Sequence, residues 1–211
     1  MSTGQSKTFP LAPTAITRLI LMRHGEPEEH IQGRCYGNLD VNLSECGERQ
    51  ILEKLDLLRS LVPKIIYTSP AKRASASARR VAGELNLPIQ MADDLREIHF
   101  GSFEGLTFDE IQRKHPSEYA LWMEKPTEIQ FPDGESFDDL NTRVEAFLRR
   151  LLEIHRSETV LVVSHAGVNR VILAQALGLS PRNIFQIDQS YAGISVIDYF
   201  ENTTLVRLVN G

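Results

Sequence analysis

Apolar residues along this chain fall into two rhythms that alternate. Short apolar stretches at residues 17–22 (TRLILM), 64–68 (KIIYT), 87–91 (LPIQM) and 159–163 (TVLVV) are strand-sized and stop at turn-forming or polar residues, the pattern of buried strands. Between them the apolar positions recur every three or four residues. Ser44 is a candidate N-cap, and Ile51, Leu52, Leu55, Leu58 and Leu61 keep one face until Pro63, which predicts a single amphipathic helix. Ser69 and Pro70 predict the N-cap and first residue of an Ala-rich helix running to about Asn86, with Ala71, Ala74, Ala78 and Ala82 as a close-packing stripe. Phe137, Leu140, Val144, Phe147, Leu151 and Ile154 predict one long helix face, and a helix after His165 should end at Gly178, a natural C′ residue.

Residues 98–135 carry no strand rhythm. The capping box Thr107-Phe108-Asp109-Glu110 predicts a short helix closed by Pro116, so this segment reads as a small helical cap inserted in the main domain. Strands near 194–200 and 205–209, joined by Glu201-Asn202, predict a closing hairpin. Alternating strands and helices predict the α/β class: a three-layer α/β/α sandwich with a mostly parallel sheet, as one domain over residues 16–211. Residues 1–15 lack the patterns of a signal or transit peptide and read as a flexible N-terminal tail.

Composition narrows the function. The chain has 211 residues, 42% of them hydrophobic, enough for a full core, yet no apolar run approaches the ~20 residues of a bilayer span. Lys and Arg total 23 against 28 Asp and Glu, a net charge of -5, which would repel a nucleic-acid backbone unless a basic stripe were present, and none is. The expected partner is a small anionic metabolite caught locally, with no nucleic acid and no membrane. Cys35 and Cys46 form neither a disulfide framework nor a CxxC motif, which fits a reducing, cytoplasmic setting.

The chemistry gathers where strands end. In open α/β sheets ligands bind outside the carboxyl ends of the strands, and three such ends here carry Arg23-His24, Ser69 to Arg73, and His165. Two Arg, two His and two helix N-termini facing one crevice suit a dianionic phosphate, and the two Arg would repel a divalent cation, so neither metal nor cofactor is expected. Singly, each strand-end His reads as well as an ordinary hydrogen-bonded residue; the joint placement carries the weight. His30 and His99 read as unremarkable, His115 and His155 as solvated residues at helix ends, and Arg149-Arg150 as a solvated helix face. Gly-x-Ser-x-Gly, Walker A and GxGxxG motifs are absent.

Four separated segments resemble one family: Leu21-Met22-Arg23-His24-Gly25-Glu26, Tyr67-Thr68-Ser69-Pro70-Ala71-Lys72-Arg73-Ala74, Leu95-Arg96-Glu97 with Gly101 and Glu104-Gly105, and Val163-Ser164-His165-Ala166-Gly167. The chain is similar to the histidine phosphatase superfamily, which includes the cofactor-dependent phosphoglycerate mutases. The resemblance implies that His24 becomes a phosphohistidine, that Arg23, Arg73 and His165 hold the phosphoryl oxygens, and that Glu97 donates a proton to the leaving oxygen. It also implies a substrate surface that includes His30, Tyr36, Gly37 and Ala166. Gly33 to Asp40, Arg96 to Gly105 and Pro132-Asp133-Gly134-Glu135-Ser136 look most like α-ribazole phosphatases and broad-specificity relatives. The mutase pattern is broken at Pro27-Glu28-Glu29-His30, which puts His30 where an Asn would touch phosphate, and at Met123-Glu124, where an Arg pair would bind a second acidic group. His99 and Ala166 stand where Asp and Gly are commoner. The expected function is a metal-independent phosphomonoesterase, with α-ribazole 5′-phosphate as the first substrate to try; a phosphoglycerate mutase and an inactive phosphate-binding module are the alternatives.

Overall fold

The computed structural model describes residues 16–211, so the expectation of an N-terminal tail falls outside the described residues. Six strands, β1 (Thr17–Arg23), β2 (Ile65–Thr68), β3 (Ile89–Met91), β4 (Glu158–Ser164), β5 (Ile194–Tyr199) and β6 (Thr204–Leu208), form one sheet in the order β3-β2-β4-β1-β5-β6. The first four run parallel, whereas β5 runs antiparallel to β1 and β6 to β5. Side chains alternate across β1 as strand geometry requires, so Leu19 and Leu21 join one core and Ile20 and Met22 the other. Helices α1 (Glu45–Glu53), α2 (Leu55–Leu61) and α3 (Lys72–Leu85) cover the Ile20 face, and α6 (Phe137–Ile154) and α7 (Ala166–Leu177) the other, which makes the three expected layers. Between β3 and α6 lie α4 (Phe108–Lys114) and α5 (Pro116–Glu124), in the segment whose sequence reads as a cap. Within this segment Phe100, Phe103, Trp122 and Phe131 pack edge to face or tilted against one another. Among the described residues no helix is long and apolar enough to cross a membrane.

Several local expectations need correction. The stretch after Ser44 is two helices, not one. Ser44 does cap, accepting from the Gly47 amide at 3.0 Å, but Lys54 leaves the helical path at ψ -7° and its amide reaches the carbonyls of both Ile51 and Leu52. The break lets Leu55, Leu58 and Leu61 all face the core. The Ala-rich helix begins at Lys72 with Ala71, rather than Ser69, as N-cap. Ile154, the last residue of α6, is 68% exposed, while the five earlier positions of its stripe are buried. His155 is buried rather than solvated. Its Nδ1 lies 2.7 Å from a Glu158 carboxylate oxygen and its Nε2 2.8 Å from the Tyr67 hydroxyl, so both ring nitrogens are satisfied. His115 is half-buried, its ring 5.1 Å from that of Phe103.

Candidate active site

Because β4 lies between β1 and β2, the strand-end residues Arg23-His24, Ser69 and His165 meet at one edge of the sheet. They adjoin a cavity of about 200 Å³ whose lining includes Arg23, His24, Tyr36, Arg73, Glu97 and Ala166. A larger cavity of about 640 Å³ beside α6 and α7 holds none of these residues, so size does not select the site.

His24 is buried, and its Nδ1 lies 2.7 Å from the Gly25 carbonyl. A carbonyl only accepts, so Nδ1 carries the proton and Nε2 keeps its lone pair. Burial, followed by the charges of Arg73 and Arg23, pushes the His24 pKa well below the ordinary histidine value, which keeps the ring neutral near pH 7. The His165 ring stands 5.2 Å from that of His24, and burial, then Arg73 and His24, lowers its pKa in the same way. Ser69 Oγ accepts from the Ala71 amide at 3.3 Å and lies 2.9 Å from His165 Nε2. With the hydroxyl proton directed at Nε2, the buried Nδ1 of His165 is an N–H donor without a partner.

Arg73 is fully buried on the first turn of α3, and its side chain reaches back over the strand end as helical geometry favours. Its terminal nitrogens donate to the carbonyls of Leu39, Tyr36 and Gly37 at 2.8–2.9 Å. Gly37 has to be glycine, because a Cβ there would run into the Ile98 carbonyl. Glu104 fixes the same loop by accepting from the amides of Asn38, Leu39 and Phe100. Burial and Glu104 push the neighbouring Cys35 thiol up to about 12, so it is no thiolate. Among the described residues four buried side-chain polar atoms lack a hydrogen-bond partner, and three of them are Arg23 Nε, Arg73 Nε and His165 Nδ1. Arg23 Nε and Arg73 Nε are donors, and His165 Nδ1 is one in the tautomer that accepts from Ser69, so this strand end can serve as an anion cradle.

Glu97 lies in the loop after β3 with its carboxylate against the first turn of α7, its two oxygens accepting from the amides of Gly167 and Ile98, both at 3.0 Å. A side chain at Gly167 would collide with this carboxylate. Arg143 holds the Glu97 carbonyl at 3.1 Å and is itself held by both oxygens of Glu135, which also accepts from the His99 amide. The Pro132-Asp133-Gly134-Glu135 run therefore positions the segment that presents Glu97.

Of the residues singled out from sequence, His30 is not brought in: its side chain is 69% exposed, 3.9 Å from Glu28, and outside the cavity lining. Gly37 stands behind Arg73. Sequence reasoning missed Ser69 as the partner of His165, as well as Tyr191 and Arg170. Tyr191 bonds Tyr36 hydroxyl to hydroxyl at 2.8 Å, its ring 5.8 Å from His24, with Arg23 stacked on it at 4.0 Å. It lies in a segment of 3-10 turns and loop with no period to read. Arg170 could have been found from its place one turn after Ala166 on α7.

A family model for the histidine phosphatase superfamily (branch 1) matches residues 19–211. The chain is 32% identical over 195 residues to phosphoserine phosphatase 1 of Hydrogenobacter thermophilus, covering 92% of each. It is 30% identical to the adenosylcobalamin/alpha-ribazole phosphatase of Escherichia coli, over 92% of this chain and 95% of that one. The structure of the alpha-ribazole phosphatase from Shigella flexneri superposes with a TM-score of 0.84 at 28% identity, over 92% of this chain and 96% of that one.

Proposed function

The chain belongs to the histidine phosphatase superfamily, and from that footing we propose that it hydrolyses phosphomonoesters, without a metal ion, through a phosphohistidine on His24. Nε2 of the neutral ring attacks phosphorus in line with the ester oxygen. The N–P bond forms as the P–O bond to the leaving group breaks, and the leaving oxygen takes the proton of Glu97. Water then attacks the phosphohistidine and gives its proton back to Glu97; inorganic phosphate leaves and His24 is neutral again. The free N–H groups of Arg23, Arg73 and His165 bind the phosphoryl oxygens, whose charge changes most in the transition state.

The strongest support is the direction of the His24 ring. Nδ1 is tied to the Gly25 carbonyl, so the one nitrogen able to act as a nucleophile is Nε2, in a site whose unpartnered polar atoms on Arg23, Arg73 and His165 can all serve as donors. The test is rapid mixing with labelled substrate and an alkaline quench, which should trap an acid-labile, alkali-stable phosphoryl group. His24→Ala should lose the trapped label and at least about 10⁴-fold in turnover. Near-normal turnover of that variant would overturn the mechanism. α-Ribazole 5′-phosphate and O-phosphoserine head the substrate panel because relatives carry those names.

A further inference from the structure

The phosphate clamp does not use every cation in the cavity. Arg34 also lines it, but its guanidinium is spent on the Gly105 carbonyl and the Glu110 carboxylate. Arg170 is different. Its Nε donates to the Ile187 carbonyl at 2.9 Å and its guanidinium lies 5.4 Å from the Phe185 ring, but among the described residues its terminal amino groups have no carboxylate or carbonyl partner. It is partly desolvated and lies within electrostatic reach of Glu97, Arg23 and Asp188, none of them at ion-pair distance. Ala166 and Arg170 are one turn apart on α7, so Arg170 stands about 6 Å along the helix axis from the residue beside the proton donor.

We propose that Arg170 binds a carboxylate on the leaving group, so that the preferred substrates are small phosphorylated hydroxy or amino acids. The inference rests on the phosphohistidine reading above. A guanidinium with two free amino groups offers the parallel pair of N–H donors that a carboxylate accepts. Arg170 lines the same cavity as Glu97, which protonates the ester oxygen, so one small leaving group seated there can meet both. Size points the same way: a cavity of about 150 Å³ holds one benzene, and this one, at about 200 Å³, has room for a phosphate and a few carbon atoms. A nucleoside-like leaving group would have to extend outside. The aromatic wall does not invite one either, because Phe108 already stacks on Trp122 at 5.3 Å and 16°, which uses that indole face within the protein.

Matched pairs that differ by the carboxylate make the test. For O-phosphoserine against phosphoethanolamine, and for 3-phosphoglycerate against glycerol 3-phosphate, kcat/KM should favour the carboxylated member at least tenfold in the native protein. In Arg170→Gln both ratios should fall to between about one and two, with Arg170→Lys in between. Ratios are insensitive to the fraction of folded enzyme, and a purely structural role for Arg170 would lower both members of a pair together. A native ratio near one, or a ratio that survives Arg170→Gln, overturns the proposal. Neither outcome touches the phosphohistidine, whose own failure would show as turnover persisting in His24→Ala.

Discussion

At the edge of the sheet where β1 begins, the buried Arg18 guanidinium meets Asp198 across the β1–β5 pair at 2.6 and 2.8 Å, and Arg207 adds a third bond at 2.9 Å. Burial pushes Asp198 up, but the bonds from Arg18 and Arg207 outweigh it and hold the carboxyl below its usual range. Nearby, His155 satisfies both ring nitrogens through Tyr67 and Glu158. At the opposite edge, where β1 ends, the same depth of burial surrounds Arg73, His24 and His165. There the cations face no carboxylate at ion-pair distance, and three donors stay unspent. One sheet thus buries charge at both ends, closed into direct ion pairs at one and held out of direct ion pairs at the other. A buried unpaired charge is costly, so an imbalance of this kind is expected where a ligand supplies the missing charge.

The contrast breaks if the two ends respond alike to losing a charge. Arg23→Met should lower kcat/KM about 10³-fold, since one clamp donor and one full charge are gone. Its unfolding free energy should move by no more than about 1 kcal/mol, because the lost stacking on Tyr191 and the lost bond to the Gln189 carbonyl are offset in part by relief of repulsion from Arg73. Asp198→Asn should do the reverse. It removes the charge opposite the buried Arg18 and should cost about 3 kcal/mol or more in urea unfolding, while kcat/KM per folded molecule stays within about threefold. Equal stability losses at both ends would dissolve the distinction.

This division also explains how much was legible beforehand. His24, Arg73 and His165 follow strands whose apolar runs are plain, so their convergence could be argued from topology alone, and Glu97 came from motif resemblance. The satisfied end was not legible. His155 was read as solvated because it follows a helix, yet its burial depends on Tyr67, 88 positions away in sequence. Ser69 is a good N-cap residue by local rules and its hydroxyl does accept from the Ala71 amide, but it also meets His165, 96 positions away, and the helix starts three residues later. Lys54 interrupts a helix whose apolar spacing runs through it without a fault, since packing of α2 on α3 and the sheet, rather than propensity, sets the bend. The Arg pair of the mutase pattern is absent at Met123-Glu124, and the further arginine that lines the cavity, Arg170, comes from α7.

Acid should expose the strained end next. His24 and His165 both have native pKa values well below the ordinary histidine value. Below about pH 6.5 the unfolded chain therefore takes up protons that the native state refuses, so stability present above that pH is lost as pH falls. Between pH 6.5 and 5.5 the two rings together should cost about 2 kcal/mol, read from urea unfolding at a series of pH values. His165→Asn should remove about half of this slope and Asp198→Asn none of it. A native protein equally stable at both pH values would mean that these rings charge freely in the folded state.

The smallest expected effect sharpens the boundary of the unbalanced end. Tyr36 and Tyr191 close over His24 with a single hydroxyl–hydroxyl bond, and each ring also faces a clamp arginine: Arg23 lies 4.0 Å from the Tyr191 centroid and Arg73 5.1 Å from that of Tyr36. Burial, then the bond to Tyr191, raises the Tyr36 pKa, so the phenol stays protonated and the bond is neutral. A neutral hydrogen bond contributes about 1 kcal/mol, and removing it leaves both rings and both cation–π contacts in place. Tyr36→Phe and Tyr191→Phe should each lower kcat/KM about fivefold by loosening the arginines the rings support. Because the two hydroxyls act through one bond, the double variant should lose no more than either single one, a coupling of about 1 kcal/mol in the cycle. Additive losses would mean that each hydroxyl contacts substrate separately, and the pair would then belong to the anion cradle rather than to its frame.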